Sequence, residues 1–128
     1  MPLLHAAGAT QVVLVTSRGT GRWVLPKGWA EAALTGAELA AKEAFEEAGL
    51  MGAMHAQPIG TYRALKRLED ASTLPCQVEV FRMQVATLLE DWPKRHQRQR
   101  RSFTLAEAAA AVHEAELSAL LHELAATV

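Results

Sequence analysis

Three glutamates in one short stretch, Glu43, Glu46 and Glu47, are the residues of this chain best suited to chemistry. On a helix they stand at i, i+3 and i+4, so all three point to roughly one side. Like charges at these spacings destabilise a helix, and crowded carboxylates resist ionising together. A divalent cation relieves both problems. Magnesium is hard, prefers oxygen ligands, and is usually held by one or two carboxylates plus substrate phosphates. The plainer explanation is a solvated helix face. Ala40, Ala41, Ala44 and Ala48 suit the opposite, packed side, and Lys42 can pair with Glu46 at i+4.

The surroundings favour the chemical reading. The chain runs Leu25-Pro26-Lys27-Gly28-Trp29, then a loop, then Lys42-Glu43-Ala44-Phe45-Glu46-Glu47-Ala48-Gly49-Leu50. This resembles the Nudix box, G-x5-E-x7-R-E-U-x-E-E-x-G-U, where U is a bulky aliphatic residue. Gly28, Glu43, Glu46, Glu47, Gly49 and Leu50 match in register. Three positions depart: Leu34 stands for the first glutamate, Lys42 for the arginine and Ala44 for the aliphatic. In the family the arginine orients a catalytic carboxylate. Lysine keeps the charge and loses the rigid fork.

Beyond the box, the Ser17-Arg18 turn, Arg22 to Pro26, and Leu88 to Trp92 followed by a basic run and Phe103 are similar to the diphosphoinositol polyphosphate and diadenosine polyphosphate phosphohydrolases. The resemblance implies a Nudix-type α/β/α sandwich with a central mixed sheet. It implies metal-dependent hydrolysis of a phosphoanhydride bond, with magnesium, or alternatively manganese, as cofactor. Glu43 and Glu47 would bind the metal, with the backbone carbonyl of Lys27 or Gly28 as a further ligand. Glu46 would bind a second metal or act as base. Sequence does not divide ligand from base between Glu46 and Glu47. Thr16, Ser17, Arg18, Lys66, Arg67, Arg98 and Arg100 would contact substrate; a solvated surface cation is the plain alternative for each of the basic ones.

The expected partner is a phosphate-rich small molecule, a dinucleoside polyphosphate or an inositol pyrophosphate. ADP-ribose, a nucleoside triphosphate or an RNA 5′ end are alternatives with the same chemistry. A nucleotide-binding sensor without turnover is the reading outside enzymes, and the departures at Leu34, Lys42 and Ala44 motivate it. No stable nucleic-acid partner and no membrane association is expected, and the oligomeric state is not legible. His5, His55, His96, His113 and His122 show no metal-ligand spacing with each other or with Cys76. Ser17 has no His and acid partner at informative spacing. Trp23 reads as core or pocket wall, and Trp29 reads as loop packing more than base stacking.

Several elements must hold these residues. Thr10 to Thr16 is β-branched and reads as a strand, Ser17 to Gly21 as a turn, and Arg22 to Leu25 as a second strand. Thr35 with Glu38 forms a capping box, Leu34 and Leu39 are placed as a hydrophobic staple, and Gly49 supplies the helix stop. Ile59 to Ala64 and Gln77 to Ala86 read as strands, with a polar loop over Lys66 to Pro75. A second capping box, Thr104 with Glu107, opens a C-terminal helical region. Leu117, Leu120, Leu121 and Leu124 there lie on one face.

The 128 residues fit one domain spanning 1–128, half apolar with a formal net charge of −1. The single cysteine excludes an internal disulfide framework and a cysteine-built zinc site. The run Met1 to Ala9 shows no targeting pattern, which suggests a cytoplasmic protein. After Arg101 there is no further Lys or Arg.

Overall fold

A computed structural model describes residues 1–28 and 34–127. Trp29 lies outside them. Strands β1 (Pro2–Ala6), β2 (Ala9–Thr16) and β3 (Trp23–Val24) precede helix α1 (Gly36–Ala48). Strands β4 (Leu50–Arg67), β5 (Thr73–Leu88) and β6 (Arg100–Thr104) follow, then helices α2 (Leu105–Ala111) and α3 (Ala115–Thr127).

The sheet is mixed. β2 pairs antiparallel with β6 along one edge, and its other edge is shared by β1 and β3. β1 then pairs parallel with β5, and β5 antiparallel with β4. β2 is buried on both faces, which is why it reads as a continuous apolar run rather than an alternation. Val12 and Leu14 face a core closed by Leu105, Ala108, Leu117 and Leu121 of α2 and α3. Val13 and Val15 face the opposite core, closed by Ala44 and Ala48 of α1. This is the α/β/α sandwich with a central mixed sheet that the resemblance implies.

Helix α1 begins and ends on local chemistry. Glu38 donates its N–H to Thr35 Oγ1 at 3.1 Å, and Thr35 donates its own to Glu38 Oε1 at 2.9 Å. Gly49 adopts φ 64°, a conformation open to glycine because it has no Cβ, and its N–H reaches the carbonyls of Ala44 and Phe45. Thr104 and Glu107 form the same reciprocal cap on α2.

Three sequence expectations change. Residues 1–9, read for targeting alone, contain β1 and its turn into β2. Strand pairing runs outward to Arg67↔Thr73, so the expected polar loop is mostly hairpin. On the outer hairpin burial alternates, with Tyr62, Ala64 and Lys66 more buried than Arg63, Leu65 and Arg67, so it presents one face to the protein and one to solvent. The C-terminal helical region is two helices, broken at Val112, with Ser118 Oγ donating to Ala109 O at 2.7 Å.

Candidate active site

Helix α1 packs on the sheet and buries two of its acids, Glu43 and Glu47, along with Ala44 and Ala48. Glu43 is 7% exposed and Glu47 4%, which removes the solvated-face explanation for both. Being four residues apart, they share one side of the helix. Glu46 is half-buried and lines neither of the cavities described below. The three carboxylates are therefore not gathered as a unit. Among the described residues no group of three His, Cys, Asp or Glu could hold a metal ion.

Glu47 is held at both oxygens. Oε1 accepts the Lys27 backbone N–H at 3.0 Å, and Oε2 pairs with Arg98 Nη2 at 3.2 Å. Burial pushes its carboxyl above the usual range; Arg98 and the Lys27 N–H pull it back, and neighbouring Glu43 pushes it up again. Burial also lowers Lys27, while Glu47 and Glu114 act to raise it.

Gly28 explains why the pattern needs a glycine there. A Cβ at Gly28 would lie 2.7 Å from the carboxyl carbon and Oε1 of Glu43, so backbone and carboxylate touch. Gly28→Ala is expected to displace the Glu43 carboxylate, the mobile end of its side chain, rather than the backbone. Turnover should fall sharply with little change in melting temperature. Equal activity of Gly28→Ala and wild type would separate Gly28 from the site.

Glu47 lies in the wall of a cleft of about 630 Å³. Arg18, Arg22, Lys27, Arg63, Arg67 and Arg98 line it, with Ser17, Glu114 and His113. They come from the β2–β3 turn, the segment after β3, the outer β4–β5 hairpin, the stretch before β6 and the α2–α3 junction. On β4, Arg63 and Arg67 share one face, and Lys66 points to the other. Lys66 instead lines a second cavity of about 540 Å³ with Leu39, Val78, Val80 and Phe81. Leu25 and Lys27 belong to both cavities.

The substrate residues named from sequence thus divide. Ser17, Arg18, Arg67 and Arg98 meet in the cleft, and Lys66 faces the second cavity. Thr16 lines neither; its carbonyl accepts Arg98 Nη1 at 3.0 Å and its hydroxyl accepts the Gln99 N–H at 2.9 Å. Arg100 lines neither cavity and is engaged with the protein itself. It donates from Nη1 to Ala48 O and Leu89 O, both at 2.9 Å, and its guanidinium lies 4.2 Å from the Trp92 ring centre. The reason is that β6 starts at Arg100, and its side chain reaches the C-terminus of α1.

Arg22, Arg63 and Glu114 were not named as site residues. The alternation from Arg67 back to Arg63 was the available signal for one of them. Nothing local marks Glu114, which the break between α2 and α3 brings to the cleft; its Oε1 is buried without a hydrogen-bond partner.

No family model matches the chain. Among curated proteins it is similar to Nudix hydrolase 12, mitochondrial, of Arabidopsis thaliana, 37% identical over 101 residues, or 77% of this chain and 50% of that one. Nudix hydrolase 13, mitochondrial, of the same plant is 32% identical over 103 residues, covering 77% and 51%. The chain spans about half the length of these relatives. Among solved structures, the C. elegans Ap4A hydrolase superposes with a TM-score of 0.66 at 17% identity, covering 98% of this chain and 92% of that one. A Nudix hydrolase from M. smegmatis, RenU, gives 0.58 at 18%, covering 99% and 84%. These likenesses show a shared fold. The cytoplasmic placement is corrected by the plant relatives, both named mitochondrial. The lack of an apolar leader in residues 1–9 carries no weight for the compartment. No helix among the described residues is long and apolar enough to cross a membrane.

Proposed function

The chain belongs to the Nudix family, and from that premise we propose that it hydrolyses a phosphoanhydride bond of a small polyphosphate-bearing substrate with the help of a divalent cation. The observation that carries this reading is the buried pair Glu43 and Glu47 beside a cleft with six basic side chains. A cleft of that charge attracts phosphate chains and concentrates them.

The residues present fit a hard cation. The Gly28 backbone touches the Glu43 carboxylate, Glu47 lies on the same helix side, and all the donors are oxygens. Glu43, Glu47 and a carbonyl of Lys27 or Gly28 would hold it. When bound, magnesium or manganese would acidify water and offset charge on phosphoryl oxygens. The chain's own part is to orient and to accept a proton. Glu47 faces the cleft, and a carboxylate oxygen can accept more than the one contact that each makes here. Burial raises its carboxyl above the usual range, the direction that favours accepting a proton. Arg18, Arg22 and Arg67 would hold the phosphates, with Ser17 beside them. Arg100 takes no part.

A dinucleoside polyphosphate is preferred to an inositol pyrophosphate. The second cavity, with Leu39, Val78, Val80 and Phe81 in its wall, adjoins the cationic cleft through Leu25 and Lys27. It offers an apolar surface to a base, which an inositol polyphosphate lacks.

The test is phosphate release across dinucleoside polyphosphates, inositol pyrophosphates, ADP-ribose, nucleoside triphosphates and capped RNA. Turnover should require a divalent cation and vanish with chelator. Glu47→Gln should lose more activity than Glu46→Gln, since Glu47 alone of the two lines the cleft. Nucleotide binding without hydrolysis of any substrate would show a sensor instead.

A further inference from the structure

We infer that Arg98 is a positioning residue for Glu47: the guanidinium that fixes this carboxylate comes from the segment before β6, outside the helix. The inference rests on the proposed function and deepens it. The box position for arginine holds Lys42, five residues before Glu47. At 3.6 residues per turn that is about 140° around the helix, so Lys42 does not share a face with Glu47.

Arg98 is built to take this task. Its side chain is 13% exposed and that of Glu47 6%, so water screens their pairing little. Nη2 meets Glu47 Oε2 at 3.2 Å, and Nη1 is anchored on Thr16 O at 3.0 Å. The main chain beside it is tied to β2 twice: Thr16 N–H to Gln99 O at 3.0 Å, and Gln99 N–H to Thr16 Oγ1 at 2.9 Å. The fork is thus fixed at its root and at one tip, and the other tip fixes Glu47. From the opposite side the Lys27 N–H fixes Oε1.

Arg98 has one donor of each terminal nitrogen engaged with the protein, Nη1 on Thr16 O and Nη2 on Glu47 Oε2. Its charge is matched by Glu47, so attraction of phosphate falls to Arg18, Arg22 and Arg67. The geometry therefore separates two jobs that sequence alone merged in one basic run.

Arg98→Ala, Arg98→Lys and Arg67→Ala would be compared with wild type on substrates of short and long phosphate chain. Divalent-cation affinity would be measured in parallel by calorimetry without substrate. Partners that orient metal ligands typically contribute about 10–100-fold in affinity or activity. Arg98→Ala should therefore lower kcat by about 10–100-fold equally on short and long chains, with KM nearly unchanged. Cation binding should weaken in step, and added guanidinium ion should restore part of the turnover. Arg67→Ala should instead raise KM, more for the longer chain.

A KM that climbs with chain length in Arg98→Ala would make Arg98 a substrate contact and overturn the inference. So would unchanged kcat and cation affinity in a folded variant. If Arg98→Ala does not fold, Arg98→Lys carries the same comparison, since a lysine cannot reproduce the two-tipped contact. Wild-type protein that binds the cation but hydrolyses nothing refutes the hydrolase reading, and cation affinity still judges Arg98. Wild-type protein that binds no divalent cation refutes both.

Discussion

Glu47→Gln should lower kcat by about 10²–10⁴-fold while the chain still folds. Glutamine keeps the shape of the side chain and can still accept the Lys27 N–H at 3.0 Å. It loses the charge that pairs with Arg98 and any capacity to take a proton or hold a cation tightly. Circular dichroism would verify the fold and steady-state kinetics the loss. A variant with near-wild-type kcat would remove Glu47 from the chemistry. The same substitution has a pH signature in the metal-free protein. Glu47 is raised by burial, so the folded state binds this proton more tightly than the unfolded chain does. The stability it contributes is full below the unfolded carboxylate value, about 4.3, and is lost as pH rises through the folded value. Glutamine does not titrate. Urea unfolding with chelator present should therefore show the variant gaining on wild type as pH rises above the unfolded carboxylate value. A difference that stays flat, or moves the other way, would contradict the raised carboxyl.

Arg100→Ala should destabilise the fold by about 2–4 kcal/mol, with the effect on stability and not on substrate binding. Helix α1 has no basic residue in its last turn, so its C-terminal carbonyls depend on outside donors. Arg100 donates to Ala48 O, Trp92 Nε1 to Glu47 O at 3.0 Å, and the Lys94 N–H to Glu46 O at 3.0 Å. Arg100 also stacks on Trp92, which lies where a Cβ at Gly49 would go, 2.7 Å from its ring. Removing the guanidinium leaves two part-buried carbonyls unpaired and unsupports the indole. A drop in melting temperature of about 10 °C is expected, with KM of the folded enzyme unchanged. A selective rise in KM without loss of stability would return Arg100 to the substrate path.

The box was legible because it is local. Capping by Thr35 and Glu38, termination at Gly49, and the spacing of Glu43 to Glu47 all lie within one helix, where the backbone fixes neighbours directly. β2 was legible too, since a strand buried on both faces must be apolar throughout. The strand in residues 1–9 was missed because it was read only for targeting. The outer hairpin was cut short because its polar residues from Lys66 onward read as a loop, although strand pairing continues to Arg67 and Thr73.

The roles of the basic residues were not local. Arg98 and Arg100 are two positions apart in one basic run, and sequence assigned both to substrate. The structure gives Arg98 to Glu47 and Arg100 to the end of α1; β6 begins at Arg100, and Arg98 lies in the segment before it. Arg63 and Glu114 reached the cleft through pairing and a helix break far from the box.

What sequence determined by itself was the family, the helix that carries the acids and the kind of ligand those acids suit. These follow from residue type and short-range spacing. Tertiary structure alone decided which acids are buried, which of them faces a cleft and which arginine holds it. Burial and ion pairing there depend on how α1 packs on the sheet, and on the segments carrying Lys27 and Arg98, which meet Glu47 only in the folded chain.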